Sequence, residues 1–158
     1  METDNYVQMM TDSLVMKKDI LEKIIDLNET QNSILLESEF NDKNFRENID
    51  AKSELIDKIE KLDDGFNALF ARVKQTLDGH KDEYKLEISV IKELIKSVTE
   101  LAVRVQAQEA RNKVLAEKKF AMLKKEVSNA KKNTQAASTY YNSMNKLNFE
   151  PHLMDQKK

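Results

Sequence analysis

Residues 45–77 decide the fold, because they carry a sustained helical period of apolar side chains. They read FRENIDAKSELIDKIEKLDDGFNALFARVKQTL. Ten positions are spaced alternately four and three residues apart, and eight of the ten are apolar: Phe45, Ile49, Lys52, Ile56, Ile59, Asp63, Phe66, Phe70, Val73 and Leu77. This heptad spacing is typical of helices that pack side by side. Leucines at 55, 62 and 69 widen the apolar face, which predicts that this helix has two neighbours in a bundle.

The segments on either side of this stretch predict where the first two helices begin and end. Apolar residues at helical spacing predict a first helix over about 5–36. Asn41 or Asp42 can cap the start of the second helix, about 42–77, by accepting hydrogen bonds from its first backbone N–H groups. Gly79 follows at once, and glycine readily adopts the left-handed conformation that ends helices. We therefore expect two closely packed antiparallel helices.

The third helix is predicted to be longer than the other two. It is predicted over about 81–137, because neither Gly nor Pro interrupts this stretch. Its length of about 84 Å exceeds those of the other two helices, about 48 and 54 Å, so residues after about Ala116 should extend beyond them or fold back. The sequence thus predicts an all-α, antiparallel three-helix bundle over 1–137, with an extended third helix and a C-terminal tail over 138–158.

Several residues break the apolar pattern of the predicted core. Lys52 and Asp63 occupy seam positions. They either fix the alignment of the helices or form half of a buried ion pair, or they lie at a slightly offset seam with their charged groups in water. Glu109 and Asn112 replace apolar residues in the third helix. Gly65 lies inside the second helix, which indicates a close approach of a neighbouring backbone, a local kink, or simple tolerance.

Composition excludes several classes of protein. Among 158 residues there are two glycines, one proline and no cysteine, too few turn residues for a sandwich, a barrel or a doubly wound sheet. Disulfides, zinc knuckles and thiol nucleophiles are absent. His80 and His152 are far apart in sequence, and the carboxylates Glu54, Asp57 and Glu60 match the solvated face of a helix better than a metal site. We expect no enzymatic activity, no catalytic residue, no metal and no cofactor.

The charge is divided unevenly along a nearly neutral chain. Residues 1–79 hold 18 acidic and 10 basic residues, a net charge of −8, whereas residues 80–158 hold 10 acidic and 16 basic residues, a net charge of +6. The two halves should attract each other. No apolar run approaches the roughly 18 residues of a membrane span, and residues 1–10 do not resemble a signal peptide. We therefore expect a cytoplasmic protein without membrane insertion.

The end of the predicted third helix and the tail are unusual in two ways. Between residues 111 and 132, two acidic residues stand against eight basic ones: Arg111, Lys113, Lys118, Lys119, Lys124, Lys125, Lys131 and Lys132. This stretch is either a solvated helix or a docking surface for an acidic protein. Nucleic acid is disfavoured, because seven of the eight basic residues are lysines, which read bases poorly, and Phe120 is the one interleaved aromatic residue. The tail that follows is rich in apolar and aromatic residues, and an exposed apolar segment usually marks a binding surface.

The chain resembles the FlgN family of flagellar export chaperones in its Gram-positive form. The resemblance lies in the order Lys52, Leu55-Ile56, Ile59, Leu62-Asp63 and Gly65-Phe66, then a hairpin, then Gln108-Glu109 with Asn112, and finally Tyr140-Tyr141 and Met144. It implies a small cytoplasmic helical bundle that binds hook–filament junction proteins, prevents their premature assembly and delivers them to the flagellar type III export apparatus. It implies no enzymatic activity or cofactor, and it places client binding in the C-terminal region.

The candidate partner-binding residues therefore lie near the C-terminus. They are Leu115, Phe120, Leu123, Val127, Tyr140, Tyr141, Met144 and Leu147. An amphipathic segment of the client could complete a coiled coil with these side chains. The alternative is a structural coiled-coil or scaffolding protein, which would form a stable elongated oligomer; a homo-oligomer is compatible with either function.

Overall fold

A computed structural model of the chain describes the backbone of residues 2–145 and the side chains of residues 5–139. The chain forms three long helices: α1 (Glu2–Leu36), α2 (Asp42–Leu77) and α3 (Lys85–Asn145). No strand occurs among the described residues. The predicted all-α three-helix bundle is confirmed. Within this described part, no helix carries an apolar stretch long enough to cross a membrane.

Both ends of α2 form as the sequence predicts. Asn41 is the residue that caps its start, and the side-chain Oδ1 accepts a hydrogen bond from the backbone N–H of Asn44 at 3.0 Å. At the other end, Gly79 has a φ of 82°, in the left-handed region that favours glycine. This conformation lets the N–H of His80 donate to the carbonyl of Leu77 at 2.9 Å, which closes the helix.

The bounds of α3 differ from the prediction at both ends. The helix begins at Lys85, because residues 81–84 form turns in which Glu83 N–H donates to His80 O and Tyr84 N–H donates to Lys81 O. It continues beyond residue 137 to Asn145. The physical reason is that no glycine or proline occurs between Gly79 and residue 151 to end it. The first part of the predicted tail is thus helical, and residues 146–158 lie outside the described part.

Contacts divide the chain into two units, residues 1–113 and residues 114–158. In the first unit, α1 and α2 are antiparallel: Lys17 pairs with Asp63, and further along α1 Gln31 pairs with the earlier Asn48. The core of this unit draws on all three helices. One cluster of its buried apolar side chains consists of Val7, Met10, Leu14, Leu21, Val73, Leu77, Ile91 and Val98.

The core-facing side of α2 is rotated relative to the predicted seam. Ile49, Ile56 and Phe70 were expected in the seam, but each is 41–43% exposed. The residues one position earlier are better covered, and Asn48 is fully buried. α2 contacts two neighbouring helices. Its buried face is therefore centred between the predicted seam and the adjacent row of leucines at 55, 62 and 69, and not on the seam itself. An exposed apolar row remains along the edge of α2.

The second unit is described through the continuation of α3. Between residues 114 and 139, where side chains are described, none is buried. Thr134 and Thr139 each donate their hydroxyl to the carbonyl four residues earlier, so these polar side chains are satisfied within the helix. This stretch of α3 therefore contributes no buried side chain of its own.

Candidate functional site

The first unit contains a layer of buried polar side chains, which we call the polar layer. Its members are buried to at least nine-tenths: Asn28, Gln31, Asn48, Lys52, Gln108 and Asn112. Buried polar groups cost free energy unless they are hydrogen-bonded. Most polar atoms of the polar layer meet this requirement by connecting the three helices to one another, whereas Asn28 Oδ1 has no hydrogen-bond partner among the described residues.

Gln31 lies at the centre of the polar layer. Its Nε2 donates to Asn48 Oδ1 on α2 at 3.0 Å, and its Oε1 accepts from Asn112 Nδ2 on α3 at 3.1 Å. Asn112 Nδ2 also donates to the backbone carbonyl of Asn28 at 2.9 Å. Asn28 in turn donates through Nδ2 to Gln108 Oε1 at 3.1 Å. One side chain of α1 thus fixes the alignment of both other helices.

Lys52 carries a charge into the polar layer. Its side chain is 9% exposed, and Nζ lies 2.5 Å from Oε1 of Glu109, whose side chain is 44% exposed. Of the two interpretations of Lys52, the ion pair that aligns helices is the one observed. Asp63 differs, because it pairs with Lys17 at 2.6 Å with half of its side chain in solvent.

A charged pair closes the polar layer on its solvent side. Glu29 accepts hydrogen bonds from Gln108 Nε2 at 2.9 Å and from Arg111 Nη2 at 3.2 Å. The hydrogen bond from Gln108, followed by that from Arg111, lowers the pKa of the Glu29 carboxyl below its ordinary value. This carboxylate is therefore held in its charged form against α3.

The sequence pattern indicated only part of the polar layer. Lys52 and Asn112 stood out because they interrupt apolar seams, and so did Glu109, the ion-pair partner of Lys52. Asn28 and Gln31 were missed, although the apolar seam of α1 runs from Ile24 directly to Leu35 and leaves these two core positions unfilled. That gap was the available signal.

A cleft of about 200 Å³ opens where the three helices of the first unit meet. Its apolar walls are Leu14, Leu62, Phe66, Ile95 and Val98, and its polar lining is Ser13, Lys17, Asp63 and Thr99. The polar groups are largely engaged, because Lys17 and Asp63 pair with each other and Thr99 donates to the carbonyl of Ile95. Within the described residues, no group of carboxylates and histidines has the arrangement of a metal site.

The candidate partner-binding residues all belong to the second unit. We call residues 114–139 the basic segment. Phe120, Leu123 and Val127 follow one another at spacings of four and three, so they share one face of the helix. Phe120 is 44% exposed, whereas Leu123 and Val127 are half-buried. Leu115 is also half-buried but lies about a third of a turn away from this face.

The other four candidates lie where side chains are not described. Tyr140, Tyr141 and Met144 belong to α3 by their backbone, and Leu147 lies outside the described residues altogether. The structure therefore brings Phe120, Leu123 and Val127 together on one face, and the role of the remaining candidates stays a prediction.

Comparison with known proteins adds no assignment to this geometry. No family model, no curated protein and no solved structure matches the chain. The class that the fold defines is an all-α bundle of three long helices with a buried polar layer and a basic continuation of its third helix.

Proposed function

We propose that the chain is a chaperone of the flagellar export type, acting in the cytoplasm. It binds hook–filament junction proteins through its C-terminal helix and tail, from about Leu115 onward, prevents their premature assembly and delivers them to the type III export apparatus. Two kinds of support stand behind this proposal: the resemblance in sequence described above, and the helical bundle, which is the fold that this resemblance implies.

One observation carries the proposal. The buried core of the first unit is built from residues between Val7 and Val98, whereas none of the described side chains from 114 to 139 is buried. Phe120, Leu123 and Val127 nevertheless form an apolar row along this exposed helix. An apolar row on a helical surface is suited to accept an amphipathic helix of a partner.

Substitution of the apolar row tests the proposal. We expect Leu123→Ser to weaken binding of a purified hook–filament junction protein by at least about tenfold, or 1.4 kcal/mol. Met122→Ser is the matched control, because Met122 is the adjacent residue, is 56% exposed and points to another side of the helix. Equal affinities of Leu123→Ser and the unmodified chain would contradict the proposed site.

A structural coiled-coil or scaffolding function is the second candidate. It is favoured by the exposed apolar row of α2, in which Ile49, Ile56 and Phe70 recur at multiples of seven residues. Such a row can pair with a copy of itself. Sedimentation distinguishes the two functions, since a scaffold requires a stable elongated oligomer and the chaperone function tolerates a monomer.

A further inference from the structure

The lysines of the basic segment are not evenly distributed around the helix. With 100° per residue, Lys124 and Lys131 lie on one flank of the row formed by Phe120, Leu123 and Val127, each within about 80° of its centre. Lys119 lies on the opposite flank. A separate row of lysines, Lys118, Lys125 and Lys132, recurs every seven residues on the far side of the helix.

Lysines outnumber acidic residues in this arrangement. The basic segment contains six lysines and two glutamates, which gives a net charge of +4. Glu117 and Glu126 lie about 90° from the centre of the apolar row, farther around the helix than the flanking lysines. The surface that a partner helix would meet is therefore apolar at its centre. Its positive excess lies on the flank where Lys124 and Lys131 outnumber Glu117, since Lys119 stands beside Glu126 on the other flank.

We propose that the segment docking on this row is an acidic amphipathic helix, and that Lys124 and Lys131 select it. This inference rests on the proposed function and specifies the chemistry of the partner. When two helices pack through apolar rows, the residues that flank one row face those that flank the other, and their charges determine partner choice and orientation. Carboxylates on the partner would complement the lysines, whereas basic residues would be repelled.

A nucleic acid fits this surface less well than an acidic helix. The flanking lysines border an apolar row, which a phosphate backbone cannot use. The basic segment contains no arginine, and Phe120 is its one aromatic residue, so neither base readout nor a stacking platform is provided.

Two charge-reversed variants of the full chain test the inference. The flank variant carries Lys124→Glu and Lys131→Glu, which reverse the charge beside the apolar row. The far-side variant carries Lys125→Glu and Lys132→Glu, which change the net charge by the same amount on the opposite side of the helix. Their affinities are measured for two synthetic amphipathic peptides with the same leucine heptads, one flanked by glutamates and the other by lysines. Titrations are run at about 0.15 M salt to limit long-range attraction, and far-UV circular dichroism verifies that each variant remains helical.

We expect the unmodified chain to bind the glutamate-flanked peptide at least about tenfold more tightly than the lysine-flanked one. The flank variant should lose this preference, and the far-side variant should stay within about threefold of the unmodified chain. Equal losses in both variants would overturn the inference, because they would show unspecific attraction; so would tighter binding of a single-stranded oligonucleotide or no binding of the acidic peptide. The proposed function is judged separately, since it fails only when the purified junction protein itself does not bind.

Discussion

Lys52 on α2 and Glu109 on α3 form an ion pair of 2.5 Å at the edge of the polar layer, with Lys52 buried and Glu109 half-exposed. The pair aligns two antiparallel helices that are joined by the turn at Gly79. A buried charge of this kind is costly without its partner, and it disfavours other alignments of the same helices. We therefore expect the polar layer to contribute more to the uniqueness of the fold than to its stability.

Removing the partner of Lys52 should destabilise the protein. We expect Glu109→Leu to lower the free energy of unfolding by about 1–3 kcal/mol, because Lys52 is left buried without a counter-charge. Replacing both residues by leucine should recover most of this loss. Asp63→Leu, at the more exposed ion pair with Lys17, is the control and should cost less than about 1 kcal/mol. Urea denaturation measures all three; a double variant less stable than Glu109→Leu would contradict the explanation.

Asn112 is expected to be the most sensitive asparagine of α3. Its side chain is 1% exposed and donates to both Gln31 and the carbonyl of Asn28. Asn112→Ala leaves two buried acceptors without this donor, which should cost about 2–3 kcal/mol. The exposed Asn129 on the same helix gives the control variant Asn129→Ala, with an expected effect within about 0.5 kcal/mol. Similar unfolding midpoints for the two variants would show that the polar layer is not rigidly paired.

The two glycines should respond to alanine in opposite directions. Gly65 lies within α2 without a positive φ, and an added Cβ would meet nothing within 4 Å. Gly65→Ala should therefore stabilise the protein by about 1 kcal/mol through helix propensity. Gly79 has a φ of 82°, so Gly79→Ala should destabilise it by about 1 kcal/mol. Thermal unfolding of both variants tests this pair of predictions, which fails if Gly65→Ala lowers the melting temperature.

The contact between Glu29 and α3 should make stability depend on pH. Because the pKa of Glu29 is lowered in the folded state, its ionised form stabilises the fold above the ordinary value of 4.5, and this contribution is lost as the pH falls below that value. The difference in unfolding free energy between the unmodified chain and Glu29→Gln should be largest near neutral pH and shrink in acid. The exposed Glu22 provides the control Glu22→Gln; a pH-independent difference for Glu29→Gln would contradict the assigned pairing.

Local patterns predicted most of the fold. The period of α2, the cap at Asn41 and the turn at Gly79 each depend on residues close in sequence, and each is confirmed. The rotation of α2 could not be predicted, because it depends on how two other helices divide the apolar face between them. For the same reason Gly65 was ambiguous: its surroundings proved open, and no backbone of the described residues approaches it.

The candidate site was predictable to a more limited extent. The apolar row of the basic segment follows from spacing alone, and so does the distribution of lysines around it. The polar layer was missed in α1, because an asparagine or glutamine in a helix is as common on a solvated surface as in a core. Its burial is a property of the assembled bundle, in which Gln31 meets Asn48 and Asn112.

Hydrogen exchange of the full chain, with and without a purified hook–filament junction protein, tests the central claim most directly. We predict that the partner slows amide exchange by at least about tenfold within residues 114–139, around Phe120, Leu123 and Val127, while the core around Ile91 and Val98 stays unchanged. Protection confined to residues 1–113, or no protection anywhere, would contradict the claim that a polypeptide docks on the apolar row of the basic segment.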